Sequence, residues 1–347
     1  MRKFVILADN GCDLSKECRD YFDMTDYVTG HLHLPDGREI TTKLEWDFMS
    51  SKEFYAKLSR KNSGISTSPS NSEEYYKKFE SYIKEGYDIL SISLSSTISA
   101  TYRFAVGAAN NLKEKYPDCR IYCVDSYRVS MGFGLLVAYA HELKRQGKTM
   151  DEIIDWLEVN KYKVHQMGPI DNLFFAAKRG RISMGKAVFG SFAGIKPMGD
   201  YSPEGYTSVI TKVKGINKAL DVTVQYVKRT IVNPEEQYIF IAHSERFEAA
   251  NELKNRLEKE IKCKHIFVSE IYCSCATNIG DGMISVNYLG DKISAGLVKE
   301  NEVMNAILQK VGTKTVKDKS VVCYKPFIND NGITVYVFEL DNGTTQE

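Results

Sequence analysis

Asp88-Ile89-Leu90-Ser91-Ile92-Ser93-Leu94-Ser95-Ser96-Thr97-Ile98-Ser99-Ala100-Thr101-Tyr102 reads as a buried strand running into a cluster of hydroxyls that opens a long helix. Ile98, Tyr102, Ala105, Ala109, Leu112 and Tyr116 then form one apolar stripe, with Arg103, Asn110, Asn111 and Glu114 facing away. A helix start leaves backbone N–H groups unpaired, and serine or threonine there can cap them or face a ligand. The aligned peptide dipoles favour negative charge at that end, which suits a carboxylate or a phosphate. A simple cap is the plainer reading of such a cluster, so the rest of the chain decides between the two.

Working outward, Phe4–Ala8 and Ile121–Val124 are apolar runs of the kind buried within a parallel sheet, and helical stripes separate them. Leu135, Ala138, Tyr139 and Leu143 make a further stripe that ends at Gly147. The alternation predicts a parallel, doubly wound α/β domain over residues 1–166. Met167-Gly168-Pro169 reads as a boundary. Beyond it, strands near Tyr206–Val213, Tyr238–Ala242 and Ile266–Tyr272 and helices over Ile216–Ile231 and Phe247–Ile261 predict a smaller α/β domain with a mixed sheet, residues 167–290. A helix (Val298–Val311) and two strands (Val321–Tyr324, Ile333–Glu339) are expected in an extension, 291–347.

The 347 residues carry a net charge of +1 with acids and bases interspersed, which argues against a nucleic-acid or anionic-membrane surface. The opening apolar run is too short for a signal peptide, and no stretch approaches a membrane span. Eight cysteines form no Cys-x-x-Cys pair, so reduced thiols in a cytoplasmic protein are expected. Cys273-x-Cys275 and His31-x-His33 would each put two side chains on one face of a strand, as packing rather than as a metal site.

Several near-motifs fail. Gly180-Arg181-Ile182-Ser183-Met184-Gly185-Lys186-Ala187 approaches a P-loop but ends in alanine, which has no hydroxyl for Mg²⁺. Gly132-Phe133-Gly134 lacks the third glycine of a dinucleotide turn, where Val137 stands. His243-Ser244-Glu245 has no nucleophile elbow around it, so Ser244 reads as a helix cap with Glu245 in the first turn.

Taken in order, several segments resemble the bacterial DegV family over roughly residues 1–290. Asp9-Asn10-Gly11-Cys12-Asp13-Leu14 is similar to the family's Asp-Ser-x-x-Asp-Leu, Thr67-Ser68-Pro69-Ser70 to its Thr-Ser-Gln-Pro, and Ser95–Tyr102 to its Ser-Ser-x-Leu-Ser-Gly-Thr-Tyr. Val124-Asp125-Ser126, Gly132–Leu135, Arg179–Ile182, Ile195-Lys196-Pro197 and Lys212–Gly215 also fall where the family has counterparts. The resemblance implies two α/β domains with a long-chain fatty acid between them and no cofactor. It implies a non-catalytic carrier that presents the carboxylate to a separate fatty acid kinase for acyl-phosphate formation, in phospholipid metabolism. By the same carry-over, Thr67 with Ser95 or Ser96 holds the carboxylate, and Arg181 near the mouth engages the kinase. The family's His-Thr-Gly-Pro-Gly aligns with Asn278-Ile279-Gly280-Asp281-Gly282. Asn278 keeps a hydrogen-bond donor but cannot become a cation, and Asp281 adds a nearby acid. An enzyme or binding protein for another amphipathic or phosphorylated anion at the same hydroxyls is the alternative.

Overall fold

The structure, a computed structural model, describes residues 2–60, 63–181, 194–202 and 205–290, and the backbone of three strands between 321 and 346. The expected helix at Val298–Val311 and most of the P-loop-like stretch lie outside the described residues.

The first unit runs β1 (Phe4–Asp9), α1 (Lys16–Tyr21), β2 (Tyr27–Val28), β3 (Gly30–His33), β4 (Glu39–Thr42), α2 (Ser51–Leu58), β5 (Ser66–Pro69), α3 (Ser72–Lys84), β6 (Asp88–Ser93), α4 (Thr101–Lys115), β7 (Ile121–Asp125), α5 (Ser130–Arg145) and α6 (Met150–Asn160). Its sheet has the order β2-β1-β6-β7, parallel throughout. Alternation along each strand explains why both faces are apolar. Leu7, Ile89 and Ile121 pack with Phe79, Ala105 and Leu112 of α3 and α4. Ile6, Ala8, Leu90, Ile92 and Val124 pack with Leu135 and Leu136 of α5. The sheet β4-β3-β5 is antiparallel, short and rich in Thr, Ser and His, and its weak apolar alternation hid it from sequence reading.

The second unit runs β8 (Val164–Pro169), α7 (Leu173–Lys178), β9 (Ile195–Tyr201), β10 (Thr207–Lys214), α8 (Ile216–Thr230), β11 (Tyr238–His243), α9 (Phe247–Glu260), β12 (His265–Glu270), α10 (Cys273–Ile279) and β13 (Ile284–Leu289). Its sheet is mixed, in the order β10-β9-β8-β13-β11-β12, with β11 and β12 parallel and the other neighbours antiparallel. Strand β8 is already paired at Val164, so the expected break between 166 and 167 falls inside a strand. Three further strands, β14 (Val321–Ile328), β15 (Thr334–Leu340) and β16 (Thr345–Gln346), form an antiparallel sheet.

The two units share one apolar cluster. Phe22, just after α1, meets Tyr238 edge-on at 5.1 Å, and Phe240 stacks on Phe267 at 5.3 Å. The Tyr139 hydroxyl of α5 accepts from the Tyr238 N–H at 3.1 Å. The Asp13 carbonyl accepts from Ser269 Oγ at 2.8 Å.

Three local expectations are corrected. Helix α4 begins at Thr101 behind Ala100, which has no capping side chain; Ser95–Ser99 make a turn of their own, and Ser99 Oγ accepts from the Thr101 N–H at 3.3 Å. Ser244 does not cap α9; its buried hydroxyl accepts from Met283 N–H at 2.8 Å, tying β11 to β13. Cys273 and Cys275 lie in the first turn of helix α10, not on a strand.

Candidate functional site

A cavity of about 150 Å³ is lined by the ends of β1, β5 and β8, the starts of α4 and α5, and by α10 and β13. These are strand ends and helix starts, where an open α/β sheet leaves room for a ligand. Leu94, Ile98, Ile170, Ile271, Ile279, Met283 and Ile284 supply an apolar wall.

The polar wall is organised around α10. Asn278 Nδ2 donates to Thr67 Oγ1 at 3.1 Å and to the carbonyl of Ser274 at 3.0 Å. One turn earlier, Ser274 Oγ accepts from Asn10 Nδ2 at 2.7 Å. Asn10 also donates to the Thr42 carbonyl at 3.1 Å and to the Thr42 hydroxyl. Asn10 therefore joins β1 to β4 and α10 through its amide. Arg181 lines the same cavity; burial, with Arg179 beside it, lowers its pKa, and its Nη1 donates to the Arg179 carbonyl at 2.6 Å. Asp281, expected close to the head group, instead accepts from Asn172 Nδ2 at 3.3 Å.

Ser95 and Ser96 are not brought to the cavity wall. Ser95 is fully buried and its Oγ donates to the Gly205 carbonyl at 3.1 Å. The Ser96 N–H donates to Asp125 Oδ1 at 3.1 Å. From the same cluster it is Ser99 and Thr101 that line the cavity, their hydroxyls 2.7 Å apart. Sequence reading assigned these two to the helix start, and their spacing of two residues, which lets hydroxyls meet across a turn, was the signal available.

Asp9 also lines the cavity and was passed over. It accepts from the N–H groups of Gly11 at 2.8 Å and Leu94 at 2.9 Å. Burial outweighs these bonds and pushes its carboxyl up to about 7.

A hydrolase-like chain sits nearby: His33 Nε2 is 2.8 Å from Ser68 Oγ and His33 Nδ1 is 3.4 Å from Glu39 Oε2. Ser68 itself lines the cavity, but strand alternation directs its side chain to the other face of β5 from that of Thr67. Thr67 pairs with buried Leu32, whereas Ser68 pairs with His31 on the opposite face of β5. The serine that has a base is thus turned away from the face that carries Thr67. Among the described residues no cluster of three His, Cys, Asp or Glu is placed to hold a metal ion, and no helix is long and apolar enough to cross a membrane.

A family model described as uncharacterised proteins of the DegV family matches residues 3–291. The chain belongs to the DegV family. A DegV domain-containing protein of Clostridium perfringens is 38% identical over 291 residues, covering 84% of this chain and 99% of the relative. A DegV-family crystal structure from Ruminococcus gnavus, described with vaccenic acid, aligns with a TM-score of 0.73 at 24% identity, over 82% of this chain and 99% of that one. The fatty acid kinase B3 protein of Streptococcus pneumoniae, loaded with linoleic acid, aligns with a TM-score of 0.71 at 18% identity, over 83% and 100%. The DegV fold, a parallel sheet joined to a mixed one, is therefore that of this chain.

Proposed function

We propose that this DegV protein binds a long-chain fatty acid in the cavity between its two domains and presents the carboxylate to a separate kinase, without catalysing a step itself. The observation that carries the reading is the division of the cavity wall into the Thr67–Asn278 pair and a run of isoleucine, leucine and methionine. Burial contributes about 0.8 kcal/mol per methylene, so roughly fourteen methylenes gain on the order of 10 kcal/mol before association costs. The tail supplies affinity; Thr67, held by Asn278, and the Ser99–Thr101 pair orient the carboxylate through charge-assisted hydrogen bonds. Arg181, at the cavity wall and short of carboxylate partners among the described residues, fits contact with the kinase. The fatty acids held by the Ruminococcus and Streptococcus relatives, and the kinase named for the latter, support this assignment. A cytoplasmic carrier in phospholipid metabolism is the setting it implies.

Denaturing the purified protein, extracting it with solvent and analysing the extract by mass spectrometry tests the ligand. Near-equimolar fatty acid is expected, and a phosphorylated metabolite in its place would sink the reading. With ATP, fatty acid and a fatty acid kinase catalytic subunit, acyl phosphate should form only when both proteins are present.

A further inference from the structure

A polar feature of the cavity wall has no use in the reading above. Ser130, the first residue of α5, lines the cavity, is 4% exposed, and its Oγ has no hydrogen-bond partner. It is held at φ +52°, a left-handed conformation that a serine adopts only under local constraint. The 16-residue helix behind it has no side-chain cap and no acid in its first turn, so its start carries uncompensated positive polarity. Facing it is Asp13, wholly buried, whose Oδ1 accepts from the Tyr272 N–H at 2.9 Å while Oδ2 is also unpartnered. Ser130 lies near enough to draw the Asp13 carboxyl downward, yet neither orphan atom completes a well-aligned bond.

We propose that Ser130, at the start of α5 with the buried Asp13 behind it, forms a second polar subsite of this cavity that takes an uncharged hydroxyl carried by the acyl chain. The claim rests on the fatty-acid reading and refines its ligand class to hydroxylated long-chain acids. A hydroxyl both donates and accepts, so it pairs with the Ser130 hydroxyl whichever way that hydroxyl is turned. The position along the chain follows from α10. Cys275 lies beside Asp13, and Asn278 is three residues further on, a rise of about 4.5 Å. The hydroxyl therefore belongs within the first few carbons after the carboxyl group.

The test uses the delipidated full chain and displacement of a fluorescent fatty acid. Octadecanoic acid is compared with its positional monohydroxy isomers in the natural protein, in Ser130→Ala and in Ser130→Gly, whose backbone suits the positive φ. One isomer hydroxylated near the carboxyl should bind about tenfold more tightly than the parent acid, and that ratio should fall to about one in either variant. If the parent binds but no isomer exceeds it, or the advantage survives in both variants, the subsite is overturned and a water molecule suffices there. If neither parent nor isomers bind, the fatty-acid reading itself has failed.

Discussion

Asn278 and Thr67 are 211 positions apart in the chain, yet the amide of one donates to the hydroxyl of the other at 3.1 Å, joining α10 to β5. Both amide hydrogens of Asn278 are engaged, on Thr67 and on the Ser274 carbonyl, so it is the Thr67 O–H, held in place by Asn278, that is left to donate to an anion. A hydrogen bond to a charged partner contributes about 1.5–3 kcal/mol, so Thr67→Ala should weaken fatty-acid binding by about 10- to 100-fold. Asn278→His should bind more tightly at pH 6 than at pH 8, because an imidazole near its usual pKa gains charge over that interval. Unchanged affinity in the alanine variant, read by displacement titration, would remove this pair from the head-group site.

Ser95 and Ser99 separate structure from binding within one hydroxyl cluster. Ser95→Ala leaves the buried Gly205 carbonyl short of a donor and should cost about 1 kcal/mol, lowering the melting temperature by a few degrees. Ser99→Ala should instead lower ligand retention and leave melting of the ligand-free protein nearly unchanged. The reverse pattern would return the head-group role to Ser95.

The pH profile of stability follows from four buried groups. Burial raises Asp9 and Asp13 to about 7, and lowers His141 and His243 to about 4. Each aspartate holds its proton in the fold and loses it in the unfolded chain above pH ~4, so its contribution is lost as pH rises through 7. Each histidine is neutral in the fold and protonated when unfolded, so its contribution grows from pH ~4 to ~6.5. The two pairs oppose each other up to pH ~6.5, beyond which the aspartates act alone and stability should fall by about 1 kcal/mol by pH 8. Glu270, also raised by burial, acts in the same direction as the aspartates. His141→Gln should start the decline at lower pH. Thermal unfolding of the ligand-free protein reads this directly, and a curve still rising from pH 6.5 to 8 contradicts it.

Close backbone approaches set a further expectation. A methyl group at Gly168 would lie 2.0 Å from the Ile284 carbonyl, and one at Gly134 would lie 2.4 Å from the Cys12 carbonyl. Gly168→Ala or Gly134→Ala should cost about 3 kcal/mol or more, since a backbone atom cannot step aside as a side chain does. Gly147→Ala, at φ +83° with open space around it, should cost only about 1 kcal/mol. Urea unfolding ranks the three, and equal losses would show that the sheet yields to the added methyl.

Much of the architecture was legible because it rests on long apolar periodicities. The β1, β6 and β7 runs and the α4, α8 and α9 stripes match the sequence reading to within a few residues. What escaped it was short or non-local. Strands β3 to β5 are four residues each, and only three of their twelve residues are buried, too few for a clear apolar alternation. The site was legible only in part. Thr67, Arg181 and Asn278 reach one cavity, but which hydroxyls of the 95–101 cluster face it depends on where α4 begins. Ser95 is spent on Gly205, a partner 110 residues away that no local pattern announces.

The aromatic junction of Phe22, Tyr238, Phe240 and Phe267 welds the lobes on one side. Swinging them apart like a clamshell would strip those rings of their packing, so a lipid has to enter and leave by local breathing at the rim. Exchange should then be slow and governed by the protein's own opening rate. In a stopped-flow chase, the release rate should stay flat as competitor is raised.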